Sequence, residues 1–353
     1  MTRLLGMLVF LLVFLGICFG GYYYILSRLF FFFKLKHNIF FWLILVFLAF
    51  GYVVFSILEV KFPCSVWRFF MRISAIGLGV GWICLVILVS HDLLQLVFRF
   101  PVSISRWVVL GLIVSLTVYS LINAMRLKVK TIEISAPVNK RIANWSDVHL
   151  GSVSRRHLEQ LVEKTNALNP DLVLITGDLV DPQGNLTSDS LTPLNALTAP
   201  AYFVTGNHER YVGLDKVMSL LEKTPVIMLR NEVVLFDSLQ LIGIDDSDNP
   251  DQVRRNLSGL ELNPDMYTIL LYHQPEGFKD AEAAGVDLML SGHTHNGQIW
   301  PFNRVVRLRF KYVKGLHKIG NMKLYVSTGS GTWGPPMRLG SRNLITLIKL
   351  VKK

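Results

Sequence analysis

The 353-residue chain has only three cysteines, Cys18, Cys64 and Cys84, and none in its last three quarters. The polar part of the sequence therefore has neither a disulfide framework nor a thiolate metal site. Acidic residues are nearly missing from residues 1–125, which hold Glu59 and Asp92 against nine lysines and arginines. No internal repeat or low-complexity tract follows Arg126, and no twin-arginine signal is visible. A phosphate-cradling P-loop is missing too: "STGSGTWG" lacks the lysine and the spacing, and reads as a tight turn.

Long apolar runs, by contrast, are plentiful. Hydrophobic residues make up 51% of the chain and the mean hydropathy is +0.42. That excess is concentrated before about Leu127, in runs at Leu4–Leu26, Ile39–Val60, Ile73–Ser90 and Trp107–Ile122. Runs of about 18 residues or more can span a bilayer as helices, and these lack the polar face of a soluble bundle. The first run is too long for a cleaved signal peptide and has no small-residue cleavage site. The expectation is an integral membrane protein, with the bacterial inner membrane as its place. With four spans the two chain ends share a side, which carries seven of the flanking basic residues against five opposite, leaning toward a cytoplasmic C-terminal region.

The net charge of +11 divides into +7 for residues 1–125 and +4 for residues 126–353. Such basicity beside membrane spans suits anionic headgroups; without an aromatic–basic groove, nucleic acid is not the expected partner.

After Arg126 short β-branched runs alternate with helical or loop segments. "KVKTIEI" opens as a strand, and a helix is expected from Ser154, with Leu158, Leu161 and Val162 on one face. Five apolar runs each end in a polar cluster: "SDVHLG", "GDLVD", "GNHE", "HQP" and "SGHTH". Ligands in open α/β folds sit beyond the carboxyl ends of the strands, so five such clusters can converge on one crevice. In the last, a fully extended strand would send His293 and His295 to the same face, between glycines that allow close backbone approach.

Singly these motifs are weak. In series, D-x-H, G-D-x-x-D, G-N-H-E, H and G-H-x-H resemble the signature of calcineurin-like metallophosphoesterases, from Asp147 to His295. The terminal "WGPPMRLG" also resembles the tail of bacterial, often membrane-attached, members. The resemblance implies an α/β fold, a calcineurin-like α/β/β/α sandwich. An all-α transmembrane region of about four helices would precede it, with residues 1–127 and 128–353 as the two domains. It further implies that Asp147, His149 and His295 hold one metal and that Asn207, His273 and His293 hold a second. Asp178 would bridge the two, and His208 would be the catalytic histidine.

Oxygen and imidazole donors suit two divalent cations, manganese first, with iron, zinc or magnesium as alternatives. Asp181 and Glu209 read as supports for the neighbouring histidines and loop. Asp245, Asp246 and Asp248 in "GIDDSD" read as a strand-end turn. The basic run from Arg304 to Lys318 reads either as a solvated strand face or as a headgroup or substrate-phosphate contact.

The expected reaction is hydrolysis of a phosphodiester or pyrophosphate bond, with a lipid-linked phosphorylated substrate and membrane lipids as partners. Within the resembled family, cleavage of UDP-2,3-diacylglucosamine in lipid A synthesis is one such reaction. The alternatives are a membrane-anchored phosphodiesterase or phosphatase for soluble substrates, and the metal-binding regulatory domain of a transporter or sensor. A nuclease of the same superfamily is the least favoured.

Overall fold

The computed structural model describes residues 2–352; Met1 and Lys353, the outer ends of the two expected regions, lie outside the described residues. The chain divides into two compact units, Met1–Ile122 with Gly334–Met337, and Asn123–Trp333 with Arg338–Lys353.

The first unit is helical: α1 (Thr2–Phe32), α2 (Ile39–Lys61), α3 (Ser65–Phe98) and α4 (Val102–Ala124). All four are long and apolar enough to cross a membrane. Asn38 starts α2 as its cap, its side chain accepting from the Phe41 N–H at 3.2 Å. The third and fourth helices outrun the expected spans, because charges such as Arg72 and Arg106 end an apolar run without ending backbone hydrogen bonding. Large apolar side chains such as Leu12, Ile44, Leu96 and Val114 point outward. Glu59 does not reach water as its place near a span end suggests; it is buried and paired with Arg68 at 3.3 Å. Asp92 is half-buried, bonded by Arg28 at 2.5 Å and by the Tyr24 hydroxyl at 2.7 Å.

The second unit runs β1 (Leu127–Ala136), β2 (Lys140–Trp145), α5 (Arg155–Asn166), β3 (Leu172–Thr176), β4 (Ala201–Val204), α6 (Asn207–Val212), α7 (Leu214–Leu221) and β5 (Val226–Met228). It continues with β6 (Glu232–Phe236), β7 (Leu239–Ile244), α8 (Gln252–Leu257), β8 (Tyr267–Tyr272), α9 (Phe278–Ala283) and β9 (Leu288–Ser291). The last elements are α10 (Phe302–Arg309), β10 (Gly315–Ile319), β11 (Met322–Val326) and β12 (Asn343–Lys352).

Two six-stranded mixed sheets result, ordered β1-β12-β2-β3-β4-β5 and β10-β11-β9-β8-β7-β6. Strand alternation sorts the core into layers. Leu172 and Leu174 of β3 meet Ile269 and Leu271 of β8 between the sheets. Val173 and Ile175 face α5 and α7 on the other side of the first sheet. Leu270 and Tyr272 lie with α8 and α9 on the outer face of the second. Strands covered on both faces must be apolar throughout, which is why "LVLIT" and "TILLY" show no polar alternation. The α/β/β/α sandwich expected from the motifs is the fold observed. Complete burial of a side chain such as Phe203 or Leu270 contributes about 1.5–3 kcal/mol.

The helix expected from Ser154 forms as α5, with the Ser154 hydroxyl accepting from the His157 N–H at 3.3 Å. The first half of the basic run is helix α10 rather than a strand face, entered through Pro301. Its apolar residues Phe302, Val305 and Val306 fall at i, i+3 and i+4, while the alternation that suggests a strand runs over "VRLRF".

Candidate metal centre

The parallel runs β2-β3-β4 and β8-β9 bring five carboxyl ends to one edge of the sandwich. Asp147 and His149 follow β2, Asp178 follows β3, Asn207 and His208 open α6 after β4, His273 follows β8, and His293 and His295 follow β9.

Sharp turns aim these side chains inward. Asp147, His149, Asp178, His293 and His295 all have positive φ, between 48° and 67°. Such left-handed conformations cost non-glycine residues about 1–3 kcal/mol each and persist where the surroundings over-determine them. The glycines of the motifs allow the close approach. A Cβ on Gly292 would meet the Ser146 hydroxyl at 1.7 Å, and one on Gly206 would meet Asp178 Oδ1 at 2.2 Å.

Among the described residues three groups of donors result, two of them on either side of Asp178 Oδ2 and the third, His149, Asp181 and His208, behind the first. Asp147, His149 and His295 form the first, with His295 Nε2 3.3 Å from Asp147 Oδ1 and 3.0 Å from His149 Nε2. Asp178, His273 and His293 form the second, with His273 Nε2 3.2 Å from both Asp178 Oδ2 and His293 Nδ1. Asp178 Oδ2 also lies 3.7 Å from His149 Nε2 and 4.0 Å from His208 Nε2, so one carboxylate oxygen stands between the groups. Asn207 Oδ1 is buried without a hydrogen-bond partner.

Asp181 lies behind this set. Its Oδ2 stands 3.4 Å from His149 Nδ1 and 3.5 Å from His208 Nδ1, and it accepts from the Ser152 hydroxyl at 3.0 Å. One carboxylate thus faces the rear nitrogens of two site histidines. Glu209 is a loop clamp, accepting the backbone N–H groups of Gly206, Asp178 and Val180 at 2.6, 2.9 and 3.1 Å.

Burial and charge work against each other throughout. Burial pushes the Asp178 carboxyl up, but His273, His208 and His149 outweigh it and hold it well below the usual carboxylate range. Burial pulls His273 down while Asp178 and Asp147 more than reverse that, raising it well above a free imidazole. His208 is raised in the same way, burial being overcome by Asp178 and Asp181. His293 is driven down to about 3 by burial and by His273, and His295 falls well below its usual value through burial and Arg338. Glu209 rises to about 7 through burial and the charge of Asp178.

The residues fit a pair of cations. Imidazole nitrogens face one another at 3.0 and 3.2 Å, a buried amide oxygen has no donor, and the only charged partners among the donors are carboxylates. Buried charges require pairing or metal coordination, and nitrogen and oxygen donors of this kind suit divalent ions.

Several contributors carry no motif signal. The Ser146 hydroxyl donates to Asp147 Oδ2 at 2.6 Å. Arg338 is fully buried; it donates to the His295 carbonyl at 3.0 Å and the Ser341 hydroxyl at 3.2 Å, with Nη2 3.1 Å from His295 Nδ1. Burial lowers its guanidinium to about 9. It belongs to "WGPPMRLG", whose likeness to a family tail gives no chemistry. Tyr211 and Trp333, 63% and 48% exposed, set their rings 5.3 and 5.7 Å from that of His208.

Other sequence features lie outside the donor set. Asp245 pairs with Arg230 at 2.9 Å and accepts from Thr205, while Asp246 and Asp248 pair with Arg210 at 2.8 Å. These acids brace loops. The "STGSGTWG" turn packs on the first motif, with the Ser330 and Gly331 N–H groups donating to the Ser146 and Asp147 carbonyls.

Residues 140–297 match the family profile described as calcineurin-like phosphoesterase. A metallophosphoesterase of Aquifex aeolicus (strain VF5) is 37% identical over 226 residues, covering 60% of this chain and 85% of its own length. One from Campylobacter jejuni is 34% identical over 250 residues, 66% of each chain. A Bos taurus protein described as a transmembrane protein with metallophosphoesterase domain is 36% identical over 268 residues, covering 67% of this chain and 60% of its own length. The chain thus spans about two thirds or less of the length of the Campylobacter and bovine relatives.

Proposed function

This chain belongs to the calcineurin-like metallophosphoesterase family, and on that premise we propose that it is a membrane-embedded two-metal phosphoesterase. Its substrate in this reading is a phosphodiester or pyrophosphate in an amphipathic, membrane-borne molecule. The observation that carries the hydrolytic part is the position of Asp178 Oδ2, between the His149 and His273 nitrogens of two separate donor groups.

In this reading Asp147, His149 and His295 hold one cation. Asn207, His273 and His293 would hold the other, with Asp178 as a donor available to either. Manganese is the first candidate. Such a pair supplies Lewis acidity and a water of lowered pKa, so no serine or cysteine nucleophile is needed. His208, whose pKa Asp178 and Asp181 raise against burial, would donate to the phosphoryl oxygen or the leaving group. Asp181 faces the rear nitrogens of His149 and His208 at 3.4 and 3.5 Å, where its charge favours a proton on each Nδ1.

Two features support a substrate with an apolar part. The four long apolar helices put the chain in a membrane, and the exposed rings of Tyr211 and Trp333 offer apolar surface beside His208. A nucleotide-linked acylated sugar such as UDP-2,3-diacylglucosamine has this character. The basic residues flanking the spans lean toward a catalytic region on the cytoplasmic side of a bacterial inner membrane.

The test is turnover by the full chain in detergent with added Mn²⁺, on a chromogenic diester, a nucleotide-linked lipid and a plain lipid phosphate. A preference for a lipid substrate that drops in Trp333→Ala supports the amphipathic reading. Equal turnover on soluble and lipid substrates supports a membrane-anchored general esterase instead. Metal binding without turnover on any of them favours a regulatory role.

A further inference from the structure

After Asp287 the chain holds no aspartate or glutamate, yet it carries twelve lysines and arginines. Part of this charge lies on α10 and the turn after it, next to the loop that bears His293 and His295. Two contacts just after α10 tie the segment to that loop. Thr294 Oγ1 donates to the Val313 carbonyl at 2.7 Å, and the Phe310 ring meets the His293 ring edge-on at 5.2 Å.

No residue of α10 is buried. Val305 and Leu308, three residues apart and so on one side of the helix, are 45% and 88% exposed, and Trp300 just before the helix is 52% exposed. Arg304 and Arg307 border this apolar edge. Among the described residues only Arg309 in this stretch has an acidic partner, Glu276. An edge that is apolar and flanked by unneutralised guanidinium groups is ill-suited to water alone.

We propose that α10, with Trp300, is an interfacial helix that docks on an anionic bilayer surface. Trp300, Val305 and Leu308 enter the boundary between headgroups and acyl chains, while Arg304, Arg307 and Lys314 meet the anionic headgroups. Charge complementarity selects this occupant: the surface offers several cations, with Glu276 on Arg309 as the one acidic partner among the described residues, and a bilayer supplies both anions and an apolar layer. None of these side chains belongs to the metal donor set, so the contact is independent of which substrate is hydrolysed. It would hold the His293–His295 loop against the lipid surface.

Hydrogen–deuterium exchange of the full chain tests this. The chain is placed in nanodiscs of phosphatidylcholine alone, in nanodiscs that also contain phosphatidylglycerol, and in detergent. Amides of residues 302–309 should exchange about tenfold more slowly in the anionic discs than in the neutral ones, with α7 unchanged. The protection should fall in high salt and in Arg304→Glu/Arg307→Glu, and weaken in Leu308→Ser. Turnover of a small soluble diester should stay unchanged in these variants, which separates loss of the surface contact from failure of the hydrolytic centre. Equal exchange in the two kinds of disc overturns the proposal. So does protection that appears in detergent as protein concentration rises, which would mark a contact between copies.

Discussion

The helical unit and the α/β unit are both rich in leucine, valine and isoleucine, and they use them in opposite directions. In β3 and β8 every side chain is buried, because helices or a second sheet cover both faces. In α2 and α4 side chains such as Ile44, Val46 and Val114 point outward, where only a lipid solvent makes their exposure favourable. Charge follows the same division. The helical unit keeps its two acids close to basic partners, Asp92 with Arg28 and Glu59 with Arg68. The α/β unit gathers Asp147, Asp178, Asp181 and Glu209 in one buried crevice, where among the described residues imidazoles and Arg338 are the nearby neutralising groups. An apolar run therefore says little until its solvent is known, whereas a buried acidic cluster at strand ends points directly to a cation.

Removing the acid between the donor groups should have the largest effect. Asp178→Ala is expected to lower metal affinity at least about 100-fold and to abolish turnover, read by metal content after dialysis and by a diester assay. His208→Ala should separate binding from chemistry: metal content is retained while kcat falls by about 10²–10⁴. Equal loss of metal in both variants would break the distinction between donor and acid. The packing contrast is tested by Leu270→Ala, which is fully buried and should destabilise the fold by about 2–5 kcal/mol. Ile44→Ala, at a side chain 43% exposed, should change it by no more than about 0.5 kcal/mol. Similar losses by thermal unfolding in detergent would mean that the outward faces of the helices are packed.

A smaller effect is expected with pH. Metal binding needs neutral imidazole, and Asp178 keeps His273 protonated above the usual pH while burial leaves His293 and His295 already neutral near pH 7. Cation binding must therefore displace a proton from the His273–Asp178 pair. Affinity should rise as pH rises, with proton release seen by calorimetry in buffers of different ionisation enthalpy. In His273→Gln this proton release should disappear.

Much of the site was legible because strand-end clusters recur with fixed spacing. Asp147, His149, Asp178, His273, His293 and His295 were named through the resemblance that their ordered motifs carry, and the parallel strands bring these side chains together. Arg338 and Ser146 were not legible, since their roles depend on which loop packs on which carboxylate. Trp333 was hidden in the same way, inside a turn that looked merely tight. In the fold, β3 and β8 were readable as apolar runs, while the strand face that was one of two readings of the basic run is helix α10, because eight residues are too few for alternation and helical spacing to be told apart. The burial of Glu59 depends on Arg68 reaching back from the next helix, a pairing that hydropathy does not encode.

The central claim is that the strand-end acids and histidines form a two-cation centre. Metal analysis of the purified full chain, saturated with Mn²⁺ and freed of excess ion, tests it most directly when paired with diester turnover on the same sample. The account predicts two tightly held cations per chain, with turnover that vanishes on chelation and returns on re-addition. A chain that retains no more than one cation, or that turns over equally well after chelation, would contradict it.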